Sequence, residues 1–389
     1  MGAFMAPIIN LSMVQNQFQY IIIGAGCAGL QLAKALLEQS SDLVSSILLI
    51  DAEKAHQEKS WCFWHDNDHP YRHLVRNEWS HVEFVAESLK VSEDIHPQTY
   101  QYINSLDFHQ YHLNLFEKDD RIKIVYQHVN EIISNNKINK IITANDIYFG
   151  EHIFHTNLVN NLKSDSYPKV WQHFLGWEIE VDYPSFDINN ATIMDFSLND
   201  SKDIQFFYIL PFSKTRALVE CTFFSKQLIV EADYEILITK YLSAKLNCSF
   251  TIKAKEVGKI PMHIVDLPHW QSDTIIPIGT AAGCIKPSTG YSFSRIIQHT
   301  EEIINAVKLK KKIPLRRSKP RFLFYDKLFL HIIDYESFTM NNIFFYLFKN
   351  NKIITILKFL DEKTTLLEEC IIFLGLPKMP FLKAILKSK

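Results

Sequence analysis

Residues 20–29 read YIIIGAGCAG, and these positions decide the fold. Tyr20 to Ile23 is the apolar, β-branched run of a buried parallel strand. Gly24-Ala25-Gly26-Cys27-Ala28-Gly29 follows without a gap, and Leu30 to Glu38 carries a helical pattern. Ser46 to Ile50 is a second buried strand that ends on Asp51, 22 residues past the third glycine. Strand, glycine loop, helix, strand and acid stand in the order a dinucleotide site requires. Gly24 makes the tight turn, and Gly26, with Ala25 beside it, lets a pyrophosphate approach the backbone. Gly29 lets helix pack on strand, and the amino end of the helix faces the phosphates. Asp51 is then placed to accept from adenosine ribose hydroxyls. A glycine turn kept only for packing is the competing reading, and the full strand-helix-strand context weighs against it. The motif does not separate NAD from FAD.

The remaining glycine sharpens the choice. The chain holds only 11 glycines in 389 residues, well below the usual ~7%, and three more of them lie close together. After a strand at Asp273 to Ile278 comes Gly279-Thr280-Ala281-Ala282-Gly283, then Lys286-Pro287-Ser288-Thr289-Gly290, then a helical stretch from Tyr291 to Lys308. A second strand, small-residue loop and helix start makes another anion or ring-edge site. An ordinary strand-to-helix turn is the plainer alternative. Two such loops some 250 residues apart fit an extended FAD, with Gly279, Gly283, Thr289 and Gly290 at the ribityl and flavin half.

Composition bounds the rest. Apolar residues make up 47% and charged residues 22%, enough for a packed core and too apolar for a disordered chain. A net charge of −2 excludes a polyanion binder, so no nucleic-acid partner is expected. The six cysteines are scattered without zinc spacing, which fits a reducing cytoplasm and leaves no metal site. Residues 1–18 read as a disordered leader, with Met13 as an alternative start. No stretch reaches the length of a spanning helix.

Between the glycine loops the sequence is strand-rich. Thr192–Phe196, Gln205–Leu210 and Ala217–Phe224 are separated by polar turns and read as an antiparallel lobe. Alternation in the last places Leu218, Glu220, Thr222 and Phe224 on one face. Glu220 is thus either a desolvated functional acid or a half-exposed sheet residue near an edge. From Ile303 to Tyr325 there is no acidic residue, while Lys308, Lys310, Lys311, Lys312, Arg316, Arg317, Lys319 and Arg321 fall within it. That stretch is a patch for anionic lipid headgroups or a solvated linker. Beyond it, Phe-rich segments through Phe348 and apolar helical patterns to Leu374 form a bundle, a subset of which could lie at a membrane interface.

Beyond the two loops, SWCFW at 60–64, ATIMDF at 191–196, FFYILPFSKTRALVECTFF at 206–224 and GTAAGCIKPSTGYSFSRI at 279–296 occur in order. With these segments the chain resembles the bacterial lycopene cyclases, of the flavoprotein class shared with plant β-cyclases, from about Gln19 to the carboxyl end. The resemblance implies an α/β (α+β) fold: a FAD-binding Rossmann-like βαβ domain over 19–180 and 255–310, an inserted antiparallel-sheet substrate lobe over 181–254, and a helical carboxyl-terminal region over 311–389. It implies proton-initiated, non-redox closure of lycopene ends into β-rings, with FAD active in its reduced form and NAD(P)H as reductant. It implies Glu220 as acid/base, with Asp195 as a secondary acid whose blander role is to fix a loop. Trp61 and Trp64 would line the flavin or the polyene, or simply pack. A cytoplasmic protein lying on an anionic membrane surface is expected, with other carotenoid enzymes as possible partners. Lys286-Pro287 stands where the family often shows His-Pro, and Thr280 where many flavin hydroxylases carry Asp. A flavin-dependent isoprenoid reductase or hydroxylase, and a non-catalytic carotenoid- or flavin-binding membrane protein, are the other readings.

Overall fold

The computed structural model describes residues 16–134, 138–156, 170–198, 201–246, 248–262, 264, 273–316, 318–336 and 340–387. Most of the expected leader therefore lies outside the described residues, but its end does not. The first strand, β1, runs Gln17–Ile23 and takes in two leader positions. It pairs in parallel with β2 (Ile47–Asp51) and β11 (Ile147–His155). The first sheet runs β8 (Ile122–Tyr126), β2, β1, β11, β10 (Asn139–Thr143), β9 (Val129–Ile133), with β17 (Ile275–Pro277) also pairing β11. Period-two alternation decides its two faces. Tyr20 and Ile22 pack toward helices α1 (Cys27–Leu37) and α4 (Phe293–Lys308), whereas Ile21 and Ile23 pack with Tyr148 and Ile141. The first helix begins at Cys27, three residues earlier than its apolar pattern, so its amino end opens directly onto the glycine loop.

The second sheet is larger than the expected lobe. Its order is β16 (Phe250–Met262), β12 (Val170–Val181), β15 (Arg216–Ser225), β14 (Ile204–Pro211), β13 (Asn190–Asp195), β5 (His81–Ala86), β6 (Leu89–Asp94). Strands from 81–94 and 170–181 lie mostly outside the span 181–254 and join the lobe by non-local pairing, β5 running parallel to β13. One face packs on α3 (Glu231–Lys245) through Val219, Cys221 and Phe223. The other face looks toward the carboxyl-terminal helices α5 (Pro320–Glu336), α6 (Met340–Asn350), α7 (Ile353–Leu360), α8 (Leu366–Leu374) and α9 (Lys378–Lys387). A small third sheet, β3 (Ser60–His65), β7 (Thr99–Asn104), β4 (Val75–Trp79), lies between them in the chain, followed by α2 (Ser105–Phe116). The last helices are set by local signals. Thr365 and Glu368 form a reciprocal capping box at the start of α8, and Gly375 follows its end.

Candidate active site

The two glycine loops meet. A Cβ added to Gly279 would come within 2.8 Å of the Ala28 Cβ, so the late loop lies against the first turn of α1. Gly24, Gly279, Gly283 and Gly290 all take positive φ, a conformation that L side chains rarely adopt. A Cβ on Gly29 would overlap the Gly24 carbonyl, whereas a Cβ on Gly26 would meet nothing within 4 Å. The first is a packing glycine, and the second faces open space at a helix amino end. That is the cradle a pyrophosphate requires. Asp51, at the end of β2, accepts from the Ala25 N–H and from the Glu53 N–H at 2.9 Å, so it fixes the loop. On the late loop, Thr289 Oγ1 is buried without a hydrogen-bond partner, as is Gln172 Oε1 beside Gly290. Those orphaned groups and the open space at Gly26 fit an extended dinucleotide cofactor. Among the described residues there is no cluster able to hold a metal ion.

From Thr289 and Gly290 a cavity of about 970 Å³ extends across the second sheet to the carboxyl-terminal helices. Its walls are aromatic: Phe174, Phe206 and Phe224 from the sheet, Phe329, Phe344 and Phe348 from α5 and α6. One region of the lining is polar. Glu220 faces the cavity from the centre of β15, and Thr222 donates to its Oε1 at 2.6 Å. Burial pushes the Glu220 carboxyl up to about 8; the Thr222 bond opposes this and the Glu256 carboxyl adds to it. Opposite Glu220 on β14 is Tyr208. Its hydroxyl and that of Tyr291 each lie 2.7 Å from the Tyr100 hydroxyl. Burial holds all three phenols well above the ordinary tyrosine range.

Glu220 and the late-loop residues Thr289 and Gly290 thus line one cavity, and Trp61 lines it as well. Asp195 does not join them. It is buried at the end of β13, where it accepts from the Tyr241 hydroxyl at 2.7 Å and the Ser197 N–H at 2.7 Å, and pairs with Lys245 at 3.1 Å. Those partners belong to α3 and the following loop, so Asp195 has the loop-fixing geometry rather than that of a second acid. Sequence reasoning missed Glu256 and the three tyrosines, all of which line the cavity. The alternation that puts Glu256 and Gly258 on one face of β16 is a signal that could have found Glu256, while no local pattern marks the tyrosines.

Part of the basic stretch is tied to partners within the molecule. Arg316 donates to the Gly283 carbonyl at 3.1 Å, Lys319 to the Glu362 carbonyl at 2.9 Å, and Arg321 pairs with Glu369 at 3.0 Å. Lys312 pairs with Asp273. Lys308, Lys310 and Lys311 stay exposed, while Arg317 lies outside the described residues. Close by, Lys286 reaches Asp326 at 3.0 Å and Glu362 at 3.5 Å, and Arg295 reaches Glu362 at 2.7 Å, all of them buried. This cluster ties the late glycine loop and α4 to α5 and the turn before α8.

The fold is shared with solved structures, one of them described in complex with FAD. A geranylgeranyl bacteriochlorophyll reductase-like protein from Thermoplasma acidophilum superposes with a TM-score of 0.57 at 13% identity, covering 96% of each chain. The halogenase PltM in complex with phloroglucinol and FAD gives 0.57 at 11% identity, covering 89% of this chain and 82% of its own. The sequence narrows the class. The chain belongs to the lycopene cyclase protein family, whose profile matches residues 19–386. It is 26% identical over 290 residues to the lycopene beta-cyclase of Pantoea ananas, spanning 72% of each chain.

Proposed function

We propose that this protein converts acyclic lycopene to β-ring carotenoids by a proton-initiated cyclisation with no net electron transfer. One observation carries the reading: the Glu220 carboxyl, which burial pushes toward its protonated form, faces a long aromatic cavity in a member of this family. The Glu220 O–H delivers its proton to a terminal alkene, and the neighbouring double bond attacks the resulting cation to close the ring. Loss of a ring proton restores an alkene, so product and substrate are isomers. Walls built from Phe206, Phe224 and Phe344 exclude water that would trap the cation, and their π faces attract it. The paired glycine loops would hold FAD, the group named with the PltM structure. In its reduced form, with NAD(P)H as reductant, FAD supplies an electron-rich neighbour for developing positive charge.

The substrate is a membrane-dissolved polyene, and two features support a site on an anionic membrane face at the cytoplasmic side. Lys308, Lys310 and Lys311 are exposed, and Leu367, Leu374, Met379 and Leu386 expose large apolar area on α8 and α9. Among the described residues no helix is long and apolar enough to cross a membrane. Other carotenoid enzymes are natural neighbours there, since one must supply the lycopene. Expression in lycopene-accumulating cells, followed by pigment chromatography and mass measurement, tests the activity. A cyclised pigment isobaric with lycopene is expected. Added hydrogen or added oxygen would instead mark a reductase or a hydroxylase, and unchanged pigment a binding protein.

A further inference from the structure

Strands β15, β12 and β16 lie side by side, and one row across them reads Glu220, Gly176, Glu256. Residues directly paired across neighbouring strands share a face, and both carboxylates do line the cavity. Neighbouring strands stand ~4.8 Å apart, so the two glutamate backbones are ~9.6 Å apart with a glycine between them. A Cβ on Gly176 would lie 3.5 Å from the Glu220 Cβ and 3.6 Å from its Cγ. Its nearest contact would be the Leu218 Cδ1 at 3.0 Å, so the side chains of Leu218 and Glu220 close over the Gly176 backbone. Glycine inside a strand often marks such a close approach, and here it lets Glu220 lie over the middle strand on the face it shares with Glu256.

The two carboxyls are unlike. Glu256 Oε1 accepts from the Ser60 N–H at 2.8 Å. Burial raises its pKa, but the Ser60 bonds and the Lys59 charge work against that rise. Glu220 has only Thr222 opposing a deeper burial. Both carboxyls are raised by burial, but Glu256 alone accepts a backbone N–H, which favours its ionised form and suits it to accept a proton.

Resting on the cyclase reading above, we propose that Glu256 is a second catalytic carboxyl, the base that removes the ring proton from the same wall of the cavity as Glu220. In the forward step the Glu220 O–H bond breaks as a C–H bond forms at the terminal alkene. The neighbouring double bond then supplies the electron pair of the new ring C–C bond. The Glu256 carboxylate takes the ring proton, and the electrons of that C–H bond become the ring alkene. Glu220 ends ionised and Glu256 protonated. A water admitted to the cavity as product leaves carries the proton from Glu256 back to Glu220.

The test uses purified flavin-loaded protein and lycopene, with mass analysis of the product formed in D2O buffer and a rate profile across pH. The parent should place one deuterium in each ring formed. Glu256→Gln should lose ring formation by ~10²-fold or more and keep its flavin, and its residual rate should lack the acid-side fall that protonation of Glu256 gives the parent. Glu256→Asp, which keeps an ionisable group at that address, should recover part of the rate. Ring formation by Glu256→Gln within a few-fold of the parent overturns the proposal. So does a residual rate that keeps the parent's acid-side fall, or a loss of flavin that Glu256→Asp fails to repair. If the parent itself forms no ring while binding flavin, the cyclase reading falls first.

Discussion

The Thr222 hydroxyl donates to Glu220 Oε1 at 2.6 Å from two residues along the same strand, so a carboxyl that burial drives toward neutrality is partly restrained. The bond favours the ionised form, and the cyclisation needs the protonated one. Activity should therefore be present below a pH of about 8 and fall as pH rises through it. Thr222→Val removes the opposing bond at nearly constant volume, so the alkaline limb should move to higher pH. A rate profile from pH 6 to 10 on both proteins checks this, and a downward shift would contradict it.

Glu220→Gln keeps size and polarity but cannot trade a proton. It should lower ring formation by ~10²–10⁴-fold with flavin content unchanged. Its stability should also lose a pH dependence. Between the ordinary glutamate value of 4.5 and about 8, the folded Glu220 holds a proton that the unfolded chain has released, so the parent weakens as pH rises through that window. The shift sets an upper limit of ~5 kcal/mol on the effect. Denaturant melts at pH 5 and pH 8 should show the variant gaining on the parent at the higher pH.

Gly26 and Gly29 should part company. Gly26→Val adds carbon to open space, so the protein should fold and purify without flavin. Gly29→Val drives carbon into the Gly24 carbonyl and should cost the fold itself. Flavin absorbance and thermal melting on the two variants separate the effects.

With Arg316, Lys319 and Arg321 committed internally, Lys308, Lys310 and Lys311 carry the free charge of the basic stretch. Each is worth roughly 1 kcal/mol near an anionic surface. Replacing all three with Gln should reduce pelleting with anionic vesicles and leave binding to neutral vesicles as it was. The residual binding measures the apolar face of α8 and α9.

Asp195→Asn should act on stability alone. It weakens the bonds to Tyr241 and Ser197 and the pair with Lys245, a loss of ~1–3 kcal/mol. Ring formation per bound flavin should match the parent.

Much of this was readable in the chain because it is local. The glycine loop, its flanking strands and the face of Glu220 follow from periods of two and 3.6 within a few residues. The capping box at Thr365 is equally local. What stayed hidden depends on register between distant strands. Gly176 and Glu256 become neighbours of Glu220 only once β12 has paired on both sides, and no spacing in the sequence encodes that row. The same holds for β5, which joins β13 across some hundred residues and makes the lobe larger than its central segment. Asp195 stayed ambiguous because an acid beside an aromatic in a strand looks alike whichever face it takes. The free part of the basic stretch was not legible because charge counts do not show carbonyl and carboxylate partners brought in from the late loop, the α7–α8 turn and α8.

The buried cluster of Lys286, Arg295, Asp326 and Glu362 bears on how such proteins can be recombined. Two cations come from the cofactor side of the molecule and two anions from the roof of the cavity. Exchanging the last seventy residues with a relative, to borrow its preference for one ring or two, would strand buried charge at the seam unless all four positions travel together. Breaking one partner of such a group typically costs ~3–5 kcal/mol. A crossover point for chimeras therefore belongs upstream of Lys286, and the segment from there to the carboxyl end is the smallest piece that can be inherited intact.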